Sequence, residues 1–222
     1  MQDDNQHYVN GDKLDPAEVI GPPRMAIQRA EGTLQTIERT GPDIPPGDLI
    51  KLLEAVAHLR CTDWDQVEIL WTPERRRRVD EASHVLYDRL QVQIGLHSAT
   101  FLDRLEAGIR DLVAGIQNGL SHHQEIRAKH AEPWDWWPEF MGDVVFPLDT
   151  LGYVLELTRG TQIEPRKGAM ALVRELDATL RVSLPEIAEE FRRGGDSIDP
   201  ISPELFPESF WWRRLPGTQP VV

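Results

Sequence analysis

The chain carries one cysteine, Cys61, in 222 residues. A single thiol excludes an internal disulfide and a multi-cysteine zinc site. No apolar run approaches the ~20 residues that a bilayer-spanning helix needs. Met1 to Asn10 is polar and acidic, so it does not read as a secretory signal. No Gly-x-Ser-x-Gly elbow, Gly-rich phosphate loop or dinucleotide fingerprint is present, which argues against the hydrolase, P-loop and Rossmann classes. No internal repeat and no low-complexity tract stands out. Strand signals are limited to Val67–Trp71 and Val144–Phe146.

What is present is an ordinary globular composition, 40% apolar and 27% charged, on a length that favours one domain. The expected location is cytoplasmic. Net charge is −13, unevenly distributed. Residues 1–73 carry 6 basic and 13 acidic groups, 74–130 carry 9 and 8, and 131–222 carry 9 and 16. Two acidic ends flank a near-neutral middle. Such a chain is a poor fit to broad nucleic-acid binding, which needs lysine and arginine for phosphate, and it suits a partner with a basic surface.

Helical periodicity dominates the rest. Pro22-Pro23 opens a helix with Ile27, Ala30, Leu34 and Ile37 on one face, stopped by Gly41-Pro42. A second helix runs from about Asp48 to Arg60, with Leu49, Leu53, Val56 and Ala57 inward. A short helix or strand fits Asp63–Trp71. Thr72-Pro73 is an N-cap hydroxyl followed by proline at the first helical position. The helix it opens places Val79, Ala82, Leu86 and Leu90 together and reaches Leu96. Ser98 caps a longer one, Ala99 to Lys129, about 45 Å if unbroken. Its seam is Leu102, Leu105, Ile109, Leu112, Ile116, Leu120 and His123, flanked by Gly108, Gly115 and Gly119, where another helix could approach or the rod could kink. Pro147 to Arg159 closes at Gly160. Pro165 to Val182 follows, and Leu184-Pro185 opens a last helix stopped by Gly194-Gly195. The architecture is an all-α bundle of about six to eight helices with one long central helix and extended, Pro-rich terminal arms. The divisions are an arm at 1–21, a single helical domain at 22–195 and a Pro/aromatic tail at 196–222.

Five constellations bear on chemistry. The first is Arg75-Arg76-Arg77-Arg78 followed by His84. Arg78 precedes His84 with five residues between them. The pair is similar to that of HEPN-class ribonucleases, and the resemblance implies metal-independent RNA cleavage on a helical bundle, with the Arg78 guanidinium holding the scissile phosphate and the His84 imidazole moving a proton. Glu74, Asp80 and Glu81 offer the alternative of a solvated, ion-paired face.

The second is Glu81-x-x-His84, the spacing of helical di-iron sites, with Glu54 and His58 as cross-helix partners. No second Glu-x-x-His completes it. The third is His122-His123 and His130, in which His123 sits on the apolar seam and reads as a hydrogen-bonded core residue. The fourth is Cys61, whose neighbours Asp63 and Asp65 do not favour a thiolate.

The fifth is aromatic: Trp134, Trp136 and Trp137, then Phe210, Trp211 and Trp212, followed by Arg213 and Arg214. Tryptophan buries much area with few rotors, which makes it a strong interface anchor. The same residues could instead plug a groove of their own bundle. The reading favoured is a non-enzymatic interaction protein, such as an adaptor, accessory subunit or inhibitor-like binder, without a cofactor. Its expected contacts are the two aromatic clusters with Arg75, Arg76 and Arg77. The partner is another protein, and homo-oligomers fit as well. The alternatives are the ribonuclease of Arg78 and His84 and a metalloprotein of Glu54, His58, Glu81 and His84.

Overall fold

The computed structural model describes residues 7–9, 12–14, 22–62, 72–127, 129, 137–194 and 206–215. It is all-helical apart from a three-residue antiparallel pairing of His7–Val9 with Asp12–Leu14. The helices are α1 (Pro22–Thr40), α2 (Pro46–Cys61), α3 (Pro73–Arg127), α4 (Trp137–Phe140), α5 (Phe146–Thr158) and α6 (Lys167–Gly194). A π-helical segment, Met141–Val145, joins α4 to α5 without a break. Among the described residues this leaves five separate rods, fewer than the six to eight expected. Among the described residues no helix is long and apolar enough to cross a membrane. The chain divides into two compact units, Met1–Leu105 with Tyr153–Glu164, and Glu106–Gly152 with Pro165–Val222.

In the first unit α1 forms as its pattern requires. Ile27, Ala30, Leu34 and Ile37 are buried at 1% exposure or less. Gly41, at φ 90°, ends the helix and returns its N–H to the Ile37 carbonyl at 2.8 Å, which is glycine's use at a helix C-terminus. Helix α2 is buried on nearly every side: Leu49, Ile50, Leu52, Leu53, Ala55, Val56, Ala57 and Leu59 all leave solvent. It is the central helix of this unit. Arg89 of α3 clamps α1 by two hydrogen bonds to Glu38, at 2.9 and 2.7 Å.

Helix α3 starts where Thr72-Pro73 predicts. The Thr72 hydroxyl accepts the Arg75 N–H at 3.2 Å. The expected boundary between Leu96 and Ala99 is real but gentle. His97 leaves helical geometry at φ −136°, ψ 29°, and the helix resumes past it. The kink lies there rather than at the glycines. Of the expected seam, Leu105, Ile109, Ile116, Leu120 and His123 are buried, whereas Leu102 and Leu112 yield to Phe101 and Val113. A strict heptad reading drifts around a 3.6-residue helix by about 20° per heptad.

In the second unit two expectations are corrected. Val144–Phe146 is helical, not a strand. The Phe146 N–H bonds the Met141 carbonyl five residues back, a π turn. Pro147 has no N–H to offer the Asp143 carbonyl four residues back, which accounts for the widening here. Likewise Leu184-Pro185 does not open a new helix, because α6 runs through Pro185. Leu176, Leu180, Leu184 and Ile187 stay buried on both sides of the proline, so one continuous apolar face outweighs a lost backbone hydrogen bond.

Gly119 meets the π segment directly. A Cβ there would lie 2.7 Å from the Asp143 backbone oxygen, whereas one at Gly115 would meet nothing within 4 Å. The two glycines of one helix therefore have opposite expectations. Gly119→Ala should destabilise by about 1–3 kcal/mol through overpacking. Gly115→Ala should stabilise by up to ~1 kcal/mol through helix propensity. Urea denaturation of the two variants checks this, and equal effects of one sign would refute it.

Candidate functional site

The basic stripe lies in the first turns of α3. Arg77 bridges Glu74 and Glu81, Arg76 approaches Asp80 at 3.8 Å, and Arg78 approaches Glu74 at 3.7 Å. The hydrogen bond from Arg77 holds the Glu74 carboxyl below its usual range. The stripe is thus a charge-balanced face rather than four bare cations.

Arg78 and His84 are not brought together. Six residues on a helix turn through roughly 600°, a third of a circle from alignment. His84 instead aligns with Arg77, seven residues away. His84, Arg77, Pro73, Arg76, Asp80, Glu81 and Val85 line an open groove of about 600 Å³, and Arg78 is not part of it. The His84 ring places Nδ1 2.7 Å from the Asp80 carbonyl. Arg78 and His84 therefore point to different sides of α3.

Nor do Glu54, His58, Glu81 and His84 assemble. Glu54 pairs with Arg29 of α1 at 3.4 Å. Glu81 is taken by Arg77. His58 packs on the Tyr153 ring at 5.3 Å, and burial lowers its pKa to about 4. Among the described residues no three His, Cys, Asp or Glu side chains gather as a metal site. Beside His58, burial and then Glu156 push the Cys61 thiol up, so it is a poor nucleophile at neutral pH. Of the other histidines, His123 is buried against Phe140 at 4.5 Å. Its pKa falls to about 4 through burial and then the nearby Arg127. His130 lies outside the described residues.

The aromatic tail folds into the second unit. Phe210 is fully buried, stacked on Trp212 at 4.9 Å. Its ring occupies the space over Gly152, where any Cβ would come within 2.5 Å of it. Trp211–Arg214 form a 3-10 turn. Arg213, 4% exposed, makes a two-pronged pair with the buried Asp149 carboxylate, and the Trp212 indole N–H donates to the same carboxylate at 2.8 Å. Burial raises the Asp149 pKa, and the guanidinium and indole pull it back. The Trp211 indole donates to Asp177 at 2.8 Å, and Arg181 covers the Trp211 ring at 4.5 Å. Arg214 donates to the carbonyls of Phe206, Pro207 and Phe210.

Of the two alternatives open in the sequence, the intramolecular plug is the one this geometry displays. Trp134 and Trp136 lie outside the described residues, and of Trp137 only the backbone, in α4, is described. Sequence reasoning overlooked Asp149, Gly152, Asp177 and Arg181. Asp149 and Gly152, three residues apart within a largely apolar helix, were the available signal for a receptor on one face.

Comparison with known proteins adds no relative: no family model, no curated protein and no solved structure matches the chain.

Removing one member of the Asp149–Arg213 pair strands a buried charge. Arg213→Ala should destabilise by about 3–5 kcal/mol, and truncation before Phe206 should lower both Tm and helicity. Denaturation curves test both, and an unchanged Tm in the truncated chain would show that the tail is not part of the core.

The two histidines set a pH dependence. Both are held neutral in the fold, with pKa lowered to about 4, whereas the unfolded chain takes up protons near 6.5. Their contribution is therefore complete above pH 6.5 and is lost progressively as pH falls from 6.5 through 4, by about 3 kcal/mol for each ring. A His58→Gln/His123→Asn variant should show a shallower loss of stability over that interval, and an identical slope would exclude these rings as its source.

Proposed function

We propose that this protein is a non-enzymatic, acidic helical interaction protein, in the manner of an adaptor, accessory subunit or inhibitor-like binder, whose partner presents a basic surface. The observation that carries the reading is the solvent face of α3 in the first unit. There the groove of Arg76, Arg77, Asp80, Glu81, His84 and Val85 is followed along the same helix by Val92 and Leu96. Those two side chains are 59% and 67% exposed. Large apolar side chains held in water beside structured charge are what a protein-binding surface presents.

The tail aromatics expected as anchors are engaged within the second unit, so weight passes to α3. Overall acidity supports steering toward a basic partner. Native capture with mass spectrometry, followed by reconstitution from purified components at physiological salt, should give a complex of fixed stoichiometry. Failure of any complex to reconstitute would remove the reading. So would RNA cleavage by the wild type that His84→Ala abolishes.

A further inference from the structure

Residues 206–215 are shaped as a ligand is. Three backbone hydrogen bonds join the segment to itself, from Phe210 to Pro207 at 2.9 Å, Trp211 to Ser209 at 3.0 Å and Arg213 to Phe210 at 3.1 Å. The Arg214 guanidinium adds the carbonyls of Phe206, Pro207 and Phe210. The Phe206 ring packs on Phe210 at 5.9 Å and lies under Arg213 at 4.5 Å. A segment held in shape by its own contacts loses less entropy on docking.

Side chains join it to α5 and α6, and the chemistry is divided between the two sides. The body supplies acceptors and a hollow: the Asp149 carboxylate, one oxygen of Asp177 and the space over Gly152. Arg181 takes the other Asp177 oxygen at 2.8 Å. The tail supplies the donors and the ring, as Trp211, Trp212, Arg213 and Phe210. Phe210 and Arg213 are buried, whereas Trp211, Trp212 and Arg214 are half-buried. Two deep anchors within a partly exposed surround are how a peptide sits in a receptor. Eleven residues separate Gly194, the end of α6, from Phe206, a connection able to span up to about 40 Å.

We propose that the seat of Asp149, Gly152 and Asp177 is a peptide-binding site for a Phe-Trp-Trp-Arg segment, and that the tail of a second copy takes it in exchange for the chain's own. A second copy carries the segment whose donors and ring match this seat. The closed and exchanged forms hold the same seat contacts, so the connection decides between them. A tail tethered this closely is present at an effective concentration on the order of 1 mM. The closed monomer therefore prevails at micromolar concentration. Exchange grows as chains approach that concentration, or as the closed contact is weakened. The site lies in the second unit and stands apart from the reading of α3.

The test uses full chains with one substitution each. Gly152→Leu puts a side chain where the Phe210 ring sits. It closes the seat and releases the tail, and leucine suits a helix better than glycine. Arg213→Lys keeps a positive charge on Asp149 but loses the two-pronged fork, so it loosens the tail without stranding the carboxylate. Mixed, the two should form a 1:1 heterodimer in sedimentation at a concentration at least tenfold below that at which the wild type dimerises. Each alone should stay monomeric there. A synthetic peptide of residues 206–215 should bind the Arg213→Lys chain at least tenfold more tightly than the wild type, because a looser tail leaves the seat open more often. The same peptide with Arg213→Ala should bind at least tenfold more weakly.

No heterodimer from two folded variants would overturn the proposal. So would dimers that Gly152→Leu forms alone just as readily, since they use another surface. Peptide binding without a heterodimer would give the seat to a segment of another protein and overturn the second-copy assignment. Equal peptide affinity for the wild type and Arg213→Lys would show that the chain's own tail does not compete, and would overturn it too. Should either variant fail to fold, wild-type chains decide. Light and heavy isotope copies held together at about 1 mM should give hybrid dimers in native mass spectrometry, and their absence overturns the exchange.

Discussion

The second unit is organised around one carboxylate removed from water. Asp149 sits on α5 among apolar residues, and an ionised carboxylate in such a place is tolerated only with a partner charge and donors. Both come from the tail, as the Arg213 guanidinium and the Trp212 indole N–H. Once Asp149 fixes those two residues, Phe210 is directed onto Gly152, Trp211 reaches Asp177, and Arg214 satisfies the carbonyls of the turn behind it. The contacts of Trp211, Trp212, Arg213 and Arg214 are polar and directional, so the tail has one seat rather than many. That specificity distinguishes it from a merely apolar flap.

The first unit has a different logic. Its most buried helix, α2, has α1 packed along it. Arg89 is placed where it ties α3 to α1 by Glu38. The inner side of α3 is committed to the core, and its outer side is exposed. Val92 and Leu96 break the otherwise polar pattern there, in the two turns before the kink at His97.

Much of this architecture was legible in residue order. The starts and stops of α1, the Thr72-Pro73 start of α3 and the Gly160 end of α5 follow from local chemistry, because capping and positive φ depend on a few adjacent residues. Periodicity gave the buried faces of α1 and α3. It misled at Pro185, where packing on both flanks overrode a local breaker, and at Val144–Phe146, where three β-favouring residues lay inside a longer helical run. The site was less legible. The Arg78 and His84 spacing looked suggestive until turned around a real helix, which pairs His84 with Arg77 instead. The tail's destination depended on Asp149 and Gly152, some 60 residues earlier in the chain, and no short-range pattern reports a partner so distant.

The seat over Gly152 also has a consequence for biosynthesis. Chains emerge from the N-terminus, and segments begin to fold as they appear. α5 and α6 are therefore both made before residues 206–215 exist. During that interval the Asp149 carboxylate and the hollow above Gly152 lack Arg213 and Phe210, the groups that will fill them. The seat over Gly152 can therefore be filled from its own chain only once the tail has been made.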